Sequence, residues 1–439
     1  MISNEYKKLA NWAMSYCTSQ GCQSVRVSVY LGLDTDFKVR DRKLEKLQQS
    51  TENQMTLQLF VDGRFGSFST NRIERKELSK FIDKAIESVR FLAADNNRQL
   101  PNVDLYYKGE GKDLALYDPN INIIGTDEKI QLAFDAANEI LGTDDRILSV
   151  QSSYNDGSSF GYIISSNGFE GETAVSYFSV SVSVSVKGKG ESKPESFWYH
   201  QALYYDDLIK SGIGKIALER TLQKIGQKKI ESGSYSMLVD NINSGRLLSP
   251  VLSALYGSAL QQKNSFLLDK KDQRVLSEKV TIIDDPHIPH SFGARYFDNE
   301  GVATQKRYIF ERGVLKTYFI DTYNALKMDL EPTIASPSHL LVENGNRNME
   351  EMIKTLKKGI LITGFNGGNS NSSSGDFSFG IEGFLIENGK LVLPVSEMNI
   401  TGNMLTLWNK LIEIGNDPLL NEAYQIPSLL FDEVEFSGL

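Results

Sequence analysis

The run YFSVSVSVSVKG (177–188) constrains the fold more than any other stretch, because valine and serine alternate strictly along it. Successive side chains of a strand point to opposite faces. The pattern therefore puts Val180, Val182, Val184 and Val186 on one face and Ser179, Ser181, Ser183 and Ser185 on the other. A slip of one residue would expose every valine, so the pairing register is tightly specified. The run reads as a long antiparallel strand with one buried and one wet face. The serine array invites a catalytic reading, but no histidine or lysine stands within the alternating residues 179–186 to activate a hydroxyl. A solvated sheet face explains it.

Other elements fall around this strand. Leu9, Trp12, Ala13 and Tyr16 recur at helical spacing over 4–17, and alternating strands follow at 24–32 and 54–63. Leu78, Phe81, Ile82, Ala85, Val89 and Leu92 mark one face of an amphipathic helix. A helix is expected near 127–141, strands at 146–154 and 158–166, and a helix over 205–229. QKKIESGS (227–234) reads as a linker, after which the pattern is mainly β. Asn388-Gly389 is a strong hairpin signal, since that pair tolerates positive φ, and two apolar runs likewise flank Arg312-Gly313. A strand at 235–240 is followed by SGRLLSPVLSALYGSALQQ (244–262), read as one apolar helix. A chain of 439 residues exceeds one typical core. The expectation is an α+β protein of two domains, 1–230 and 231–439, built on large twisted, mainly antiparallel sheets flanked by helices.

Charge and composition narrow the function. A formal net charge of −9 argues against a nucleic-acid surface. The N-terminus lacks the apolar run of a signal peptide, and no window reaches the ~18 apolar residues of a membrane span. Cys17 and Cys22 are the only cysteines, too few for a disulfide framework, so a cytoplasmic protein with ordinary thiols is expected.

The four histidines are His200, His287, His290 and His339. Asp284, Asp285, His287 and His290 lie close together in DDPHIPH, a crude ligand cluster, but its prolines force an extended loop without the fixed geometry of helical zinc motifs. No G-x-S-x-G elbow is present. The glycine-rich GFNGGNSNSSSGDFSFGIEG (364–383) carries no lysine and leads into a strand, unlike a phosphate-binding loop.

Four segments together resemble the TldD/PmbA family, in particular its PmbA (TldE) branch. They are GRFGSFSTNRIERKELSKFIDKAIESVRFLAAD (63–95), KNSFLLD (263–269), FDNEGVATQKRYIFERGVLKTYFIDTYNALKM (297–328) and SSSGDFSFGIEGFLIENGKLVLPVSEMNITGNM (372–404), with PSLLFDEVEFSG (427–438) closing the match. The resemblance implies a cytoplasmic metalloprotease complex in which a TldD-type partner supplies zinc through an HExxxH helix and a downstream cysteine. Here Ser249, Pro250 and Ala254 stand at the approximate HExxxH positions, and no cysteine follows Cys22. The chain is therefore expected to hold no metal or cofactor, to have no catalytic residue of its own, and to act as the metal-free subunit on extended peptides. Asn371, Gly375, Asp376 and Ser378 are the candidate peptide contacts, with strand addition to a sheet edge as the route. Serine as cap and proline in a first turn would explain Ser249-Pro250. The alternative is a homodimeric interaction or regulatory protein. A third reading is a hydrolase built on DDPHIPH. The family's association with DNA gyrase finds no support in this acidic chain.

Overall fold

The computed structural model describes residues 2–439. Its first part comprises α1 (Asn4–Ser19), β1 (Ser24–Arg40), β2 (Lys43–Val61), β3 (Arg64–Thr70), α2 (Arg75–Arg90), α3 (Thr126–Asn138), β4 (Ile147–Ser165), β5 (Glu170–Val186), β6 (Glu195–Ala202) and α4 (Ile213–Gln223). The strands form one antiparallel sheet in the order β3-β2-β1-β4-β5-β6. As the alternation requires, Val180, Val182, Val184 and Val186 of β5 are fully buried, and Ser179, Ser181, Ser183 and Ser185 only half so. Helices α1 and α2 cover Val25, Val27, Val29, Leu57 and Leu59. Helices α3 and α4 cover Phe37, Val39, Val150 and the β5 valines. The covered β1 residues are all odd-numbered, so the four helices share one face of the sheet and the serines line the other. Each buried valine contributes at most about 1.5–3 kcal/mol relative to exposure.

Three sequence expectations change here. The strands at 24–32 and 54–63 are the inner ends of β1 and β2, which continue through residues 33–53 and pair to Arg40↔Lys43. The segments 146–154 and 158–166 are one strand, β4, uninterrupted by Asn155-Asp156-Gly157. Gly157 is needed for close packing, since a Cβ there would lie 2.6 Å from both Asp34 Oδ1 and Tyr177 Cε1. The helix over 205–229 contracts to α4, preceded by a single turn at Tyr205–Asp207 and by Gly212 at φ 86°.

The second part comprises β7 (Gly233–Val239), α5 (Gly245–Ser253), α6 (Gly257–Gln261), β8 (Ile282–Asp284), β9 (Arg307–Glu311), β10 (Val314–Leu315), α7 (Thr322–Met328), β11 (Leu340–Val342), α8 (Met349–Thr355), β12 (Lys358–Phe365), β13 (Asn369–Ser370), β14 (Asp376–Glu387), β15 (Lys390–Asn403), α9 (Met404–Asn409), β16 (Leu411–Ile414), β17 (Tyr424–Gln425) and β18 (Leu429–Ser437). β7 pairs parallel with β12, and antiparallel pairings then run β12–β14, β14–β15, β15–β18 and β18–β7. These five strands close on themselves. A closed cycle has no free edge. Alternate residues sort inside from outside: Met237, Val239, Ile360, Ile362 and Phe431 join the large interior core with Trp408, while Leu238, Leu361 and Leu430 pack outward with α8 residues Met352 and Ile353. A smaller sheet, β10-β9-β8-β11-β17, lies beside the ring. Asn388-Gly389 and Arg312-Gly313 both take positive φ at two successive residues, as their hairpins require.

The two parts are joined by polar contacts. Arg220 of α4 reaches Asp240 at 3.4 Å, Lys224 reaches Glu382 at 2.6 Å, and the Tyr199 hydroxyl donates to Glu422 at 2.5 Å.

Candidate functional site

The 244–262 stretch is two helices, not one. α5 ends at Ser253, and α6 starts at Gly257, where a Cβ would meet Asn324 Cβ at 2.9 Å. Pro250 sits inside α5 and not in its first turn, so helix capping does not explain Ser249-Pro250. Ser244 occupies the N-cap position instead, and its hydroxyl donates back to the Asp240 carbonyl at 2.9 Å.

Pro250 and Ala254 are buried in packing, while Ser249 is exposed. Zinc requires imidazole, thiolate or carboxylate donors. None occurs anywhere in 244–262, so shifting the register does not restore a ligand set. The residues do not fit the metal. The helix is instead held by its backbone and flank: Trp408 Nε1–H donates to Leu247 O at 3.2 Å, and the Ser265 hydroxyl donates to Ala254 O at 2.6 Å. Arg246 donates to Gly368 O at 3.1 Å and lies over the Phe379 ring at 4.8 Å.

The signature residues form a tight turn feeding β14. Asn371 N–H donates to Asp376 O and Gly375 N–H to Asn371 O, both at 2.8 Å. Gly375 has φ 81°, and a Cβ there would crowd Phe266 Cγ at 3.1 Å and Asn403 Nδ2 at 3.2 Å. The Asp376 carboxylate accepts from Asn403 Nδ2 at 3.0 Å and from the Ser374 hydroxyl at 2.7 Å. Those bonds, Asn403's first, hold its carboxyl below the usual range. Ser378 lies in the strand itself, paired with Asn369 on one side and Thr401 on the other. Asn371, Gly375 and Asp376 thus share one turn, and Ser378 stands two residues further along. The backbone here is paired on both sides, so strand addition at β14 is not available without displacing a native strand.

Two residues in this arrangement were not singled out from sequence. Phe266 N–H donates to Ser372 O at 2.9 Å. Asn403 caps α9, accepting from Leu405 N–H at 3.1 Å, while its amide donates to Ser374 O at 2.8 Å. An asparagine directly before an apolar helical run was the available signal for Asn403.

The segments that carry the family resemblance touch in series. Phe266 (263–269) meets the 371–376 turn, and Leu267 O accepts from Tyr318 at 2.5 Å. Tyr323 and Lys327, from the same segment as Tyr318, reach Asp95 at 3.0 and 3.2 Å. Within that segment Asp298 accepts from Glu300 and Val302 N–H at 2.9 and 3.0 Å, and Glu300 accepts from Thr322 N–H and hydroxyl.

DDPHIPH disperses. Buried Asp284 accepts from Ser338 and His339 N–H, both at 2.9 Å, and burial pushes its carboxyl up against those bonds. Asp285 pairs with Lys306 at 2.8 Å, His287 with Thr304 at 3.0 Å and His290 with Asp207 at 2.7 Å. His200 and His339 are half or fully buried, and burial lowers both imidazole pKa values. Among the described residues, no three His, Cys, Asp or Glu side chains gather as a metal-binding group. No helix among them is long and apolar enough to cross a membrane.

Comparison with known proteins gives matches along the chain. Family models described as PmbA/TldA metallopeptidase domain 1, central domain and C-terminal domain match residues 25–89, 119–225 and 232–438. Metalloprotease PmbA of Escherichia coli O157:H7 is 24% identical over 94% of this chain and 92% of its own length. The PmbA homologue of Buchnera aphidicola is 27% identical over 94% and 93%. Among solved structures, a Bacteroides thetaiotaomicron protein described as a modulator of DNA gyrase is 56% identical, with a TM-score of 0.98 over 100% of both chains. TldE of Thermococcus kodakarensis, at 19% identity, shares the fold, with a TM-score of 0.85 over 99% and 100%. With three consecutive domain models and a whole-length structural match at 56% identity, this chain belongs to the PmbA/TldD metallopeptidase family.

Proposed function

We propose that this chain is the metal-free, TldE-type subunit of a cytoplasmic peptide-processing complex, in which a TldD-type partner contributes zinc. The observation that carries the reading is α5: in a metallopeptidase family member, the helix at the metal position offers no donor and is fixed by packing. A zinc-bound water activated near neutral pH would come from the partner. This chain would help enclose an extended peptide, touching it through the side chains of Asn371, Asp376 and Ser378 and the backbone of Gly375, and not through an added strand. The two-domain division at 230/231 belongs to the same proposal. It falls between α4, ending at Gln223, and the first ring strand, starting at Gly233.

The test is hydrolysis of an unstructured peptide by this chain, by a TldD-type homologue and by their mixture, each with and without chelator. Chelator-sensitive activity that depends on mixing is expected. Equal activity of the homologue without this chain would overturn the subunit role and favour the homodimeric interaction protein. Asp376→Lys is expected to reduce the mixture's rate. An unchanged rate would remove the signature turn from the peptide path.

A further inference from the structure

A cleft of about 1140 Å³ opens between α6, the 263–271 segment, the start of β9 and residues 316–333. It borders the same 263–269 segment that meets the signature turn, but shares none of Asn371, Gly375, Asp376 or Ser378. We propose that this cleft binds the carboxylates of an extended peptide, whether on acidic side chains or at a free C-terminus. The inference rests on the reading that the chain handles peptides.

Local charge is the first argument. The lining carries Lys263, Lys271, Arg307, Lys316 and Lys327 against Asp104, Asp269 and Glu331, on a chain whose net charge is −9. Charge of this sign inside a concave, partly apolar wall is focused and attracts anions. Pairing is the second. Lys316 and Lys327 have carboxylates at 3.4 and 3.2 Å, from Asp272 and Asp95. Lys263, Lys271 and Arg307 have none within 4.0 Å among the described residues. Arg307 is half-buried at the base of β9, its Nε–H donating to Gln305 O at 3.3 Å. A guanidinium so placed offers its remaining donors as a planar fork suited to a carboxylate. Shape is the third. Leu105, Leu260, Leu268, Val302 and Ile320 line the cleft beside the cations, giving apolar side chains of a peptide somewhere to pack.

The experiment uses fluorescence anisotropy of short labelled peptides of equal length with the full chain. The four peptides are acidic with an amidated C-terminus, neutral with a free C-terminus, neutral and amidated, and lysine-rich. The acidic or free-acid peptide is expected to bind about tenfold tighter than the lysine-rich one at low salt, with the preference shrinking as salt rises. Whichever of the first two binds tighter identifies the carboxylate source. The double variant Lys263→Glu/Lys271→Glu, at exposed rim positions, is expected to weaken that binding about tenfold with an unchanged thermal melt. Lys390→Glu, exposed at the β14–β15 turn, is expected to leave it intact. Equal affinity for all four peptides, or no effect of the rim variant, would overturn the proposal. Retained acidic-peptide binding with no gain on mixing with a TldD-type homologue would overturn the subunit reading and leave the cleft standing.

Discussion

The open N-terminal sheet and the closed C-terminal ring solve the same problem in opposite ways. The sheet buries one face under four helices and leaves the serine face and the outer edge of β2 from Lys43 to Gln54 without a neighbouring strand. The ring gives every strand two neighbours, closing through Asn399 and Ile400 of β15 on β18, and hides its apolar residues within and beneath α8. An open sheet tolerates change at its margin, whereas a ring transmits it. The signature turn and α5 both sit against the ring, so the candidate site is held by the less forgiving part.

The largest expected effect is in the ring. Trp408 is fully buried, packs edge-on against Phe431 at 5.8 Å and donates to α5. Trp408→Ala should cost about 3–5 kcal/mol in denaturant unfolding, whereas Leu47→Ala on the β2 edge should stay within about 0.5 kcal/mol. Similar costs at the two places would erase the contrast.

Glycines sharpen it next. A Cβ on Gly383 would lie 1.8 Å from Leu361 O, where β14 meets β12, while one on Gly157 chiefly meets side chains. Gly383→Ala should destabilise by about 3 kcal/mol and Gly157→Ala by about 1–2 kcal/mol, read from chemical denaturation midpoints. The reverse order would mean that the ring can open locally.

The smallest effect is acid sensitivity. His339 and His200 have imidazoles whose pKa values burial lowers below the ordinary 6.5. The unfolded chain takes up protons at both sites more readily than the folded chain as pH falls below about 6.5, so stability falls as pH drops through that range. His339→Gln should flatten the decline in melting temperature between pH 7 and 5 more than His200→Gln, whose ring is less buried. A pH-independent melt in the parent chain would contradict both assignments.

How legible each part was in the sequence follows the same contrast. The β5 alternation, the face of α2 carrying Leu78, Ile82, Ala85 and Val89, and the Asn388-Gly389 turn were all readable, because each reports on residues close in sequence. Residues 41–53 gave no apolar rhythm, because an edge with wet surfaces has none to give, whereas Phe37 and Val39 alternate inward beneath α3 and α4; the strand state of 33–53 follows from pairing with β4 and with each other. Ring closure depends on β7–β12 and β12–β14 contacts between distant segments, which local periodicity does not encode. At the site, the missing zinc donors were visible in the residues themselves. The break after α5, the interior position of Pro250 and the bonds from Phe266 and Asn403 to the turn were not, since each is set by tertiary neighbours.

The most direct test of the central claim is the zinc content of this chain purified alone, measured by inductively coupled plasma mass spectrometry beside a TldD-type homologue treated identically. The account predicts zinc well below one per chain here and about one per chain in the homologue. One tightly held zinc per molecule of this chain, lost in His287→Ala, would contradict it and make DDPHIPH the metal centre.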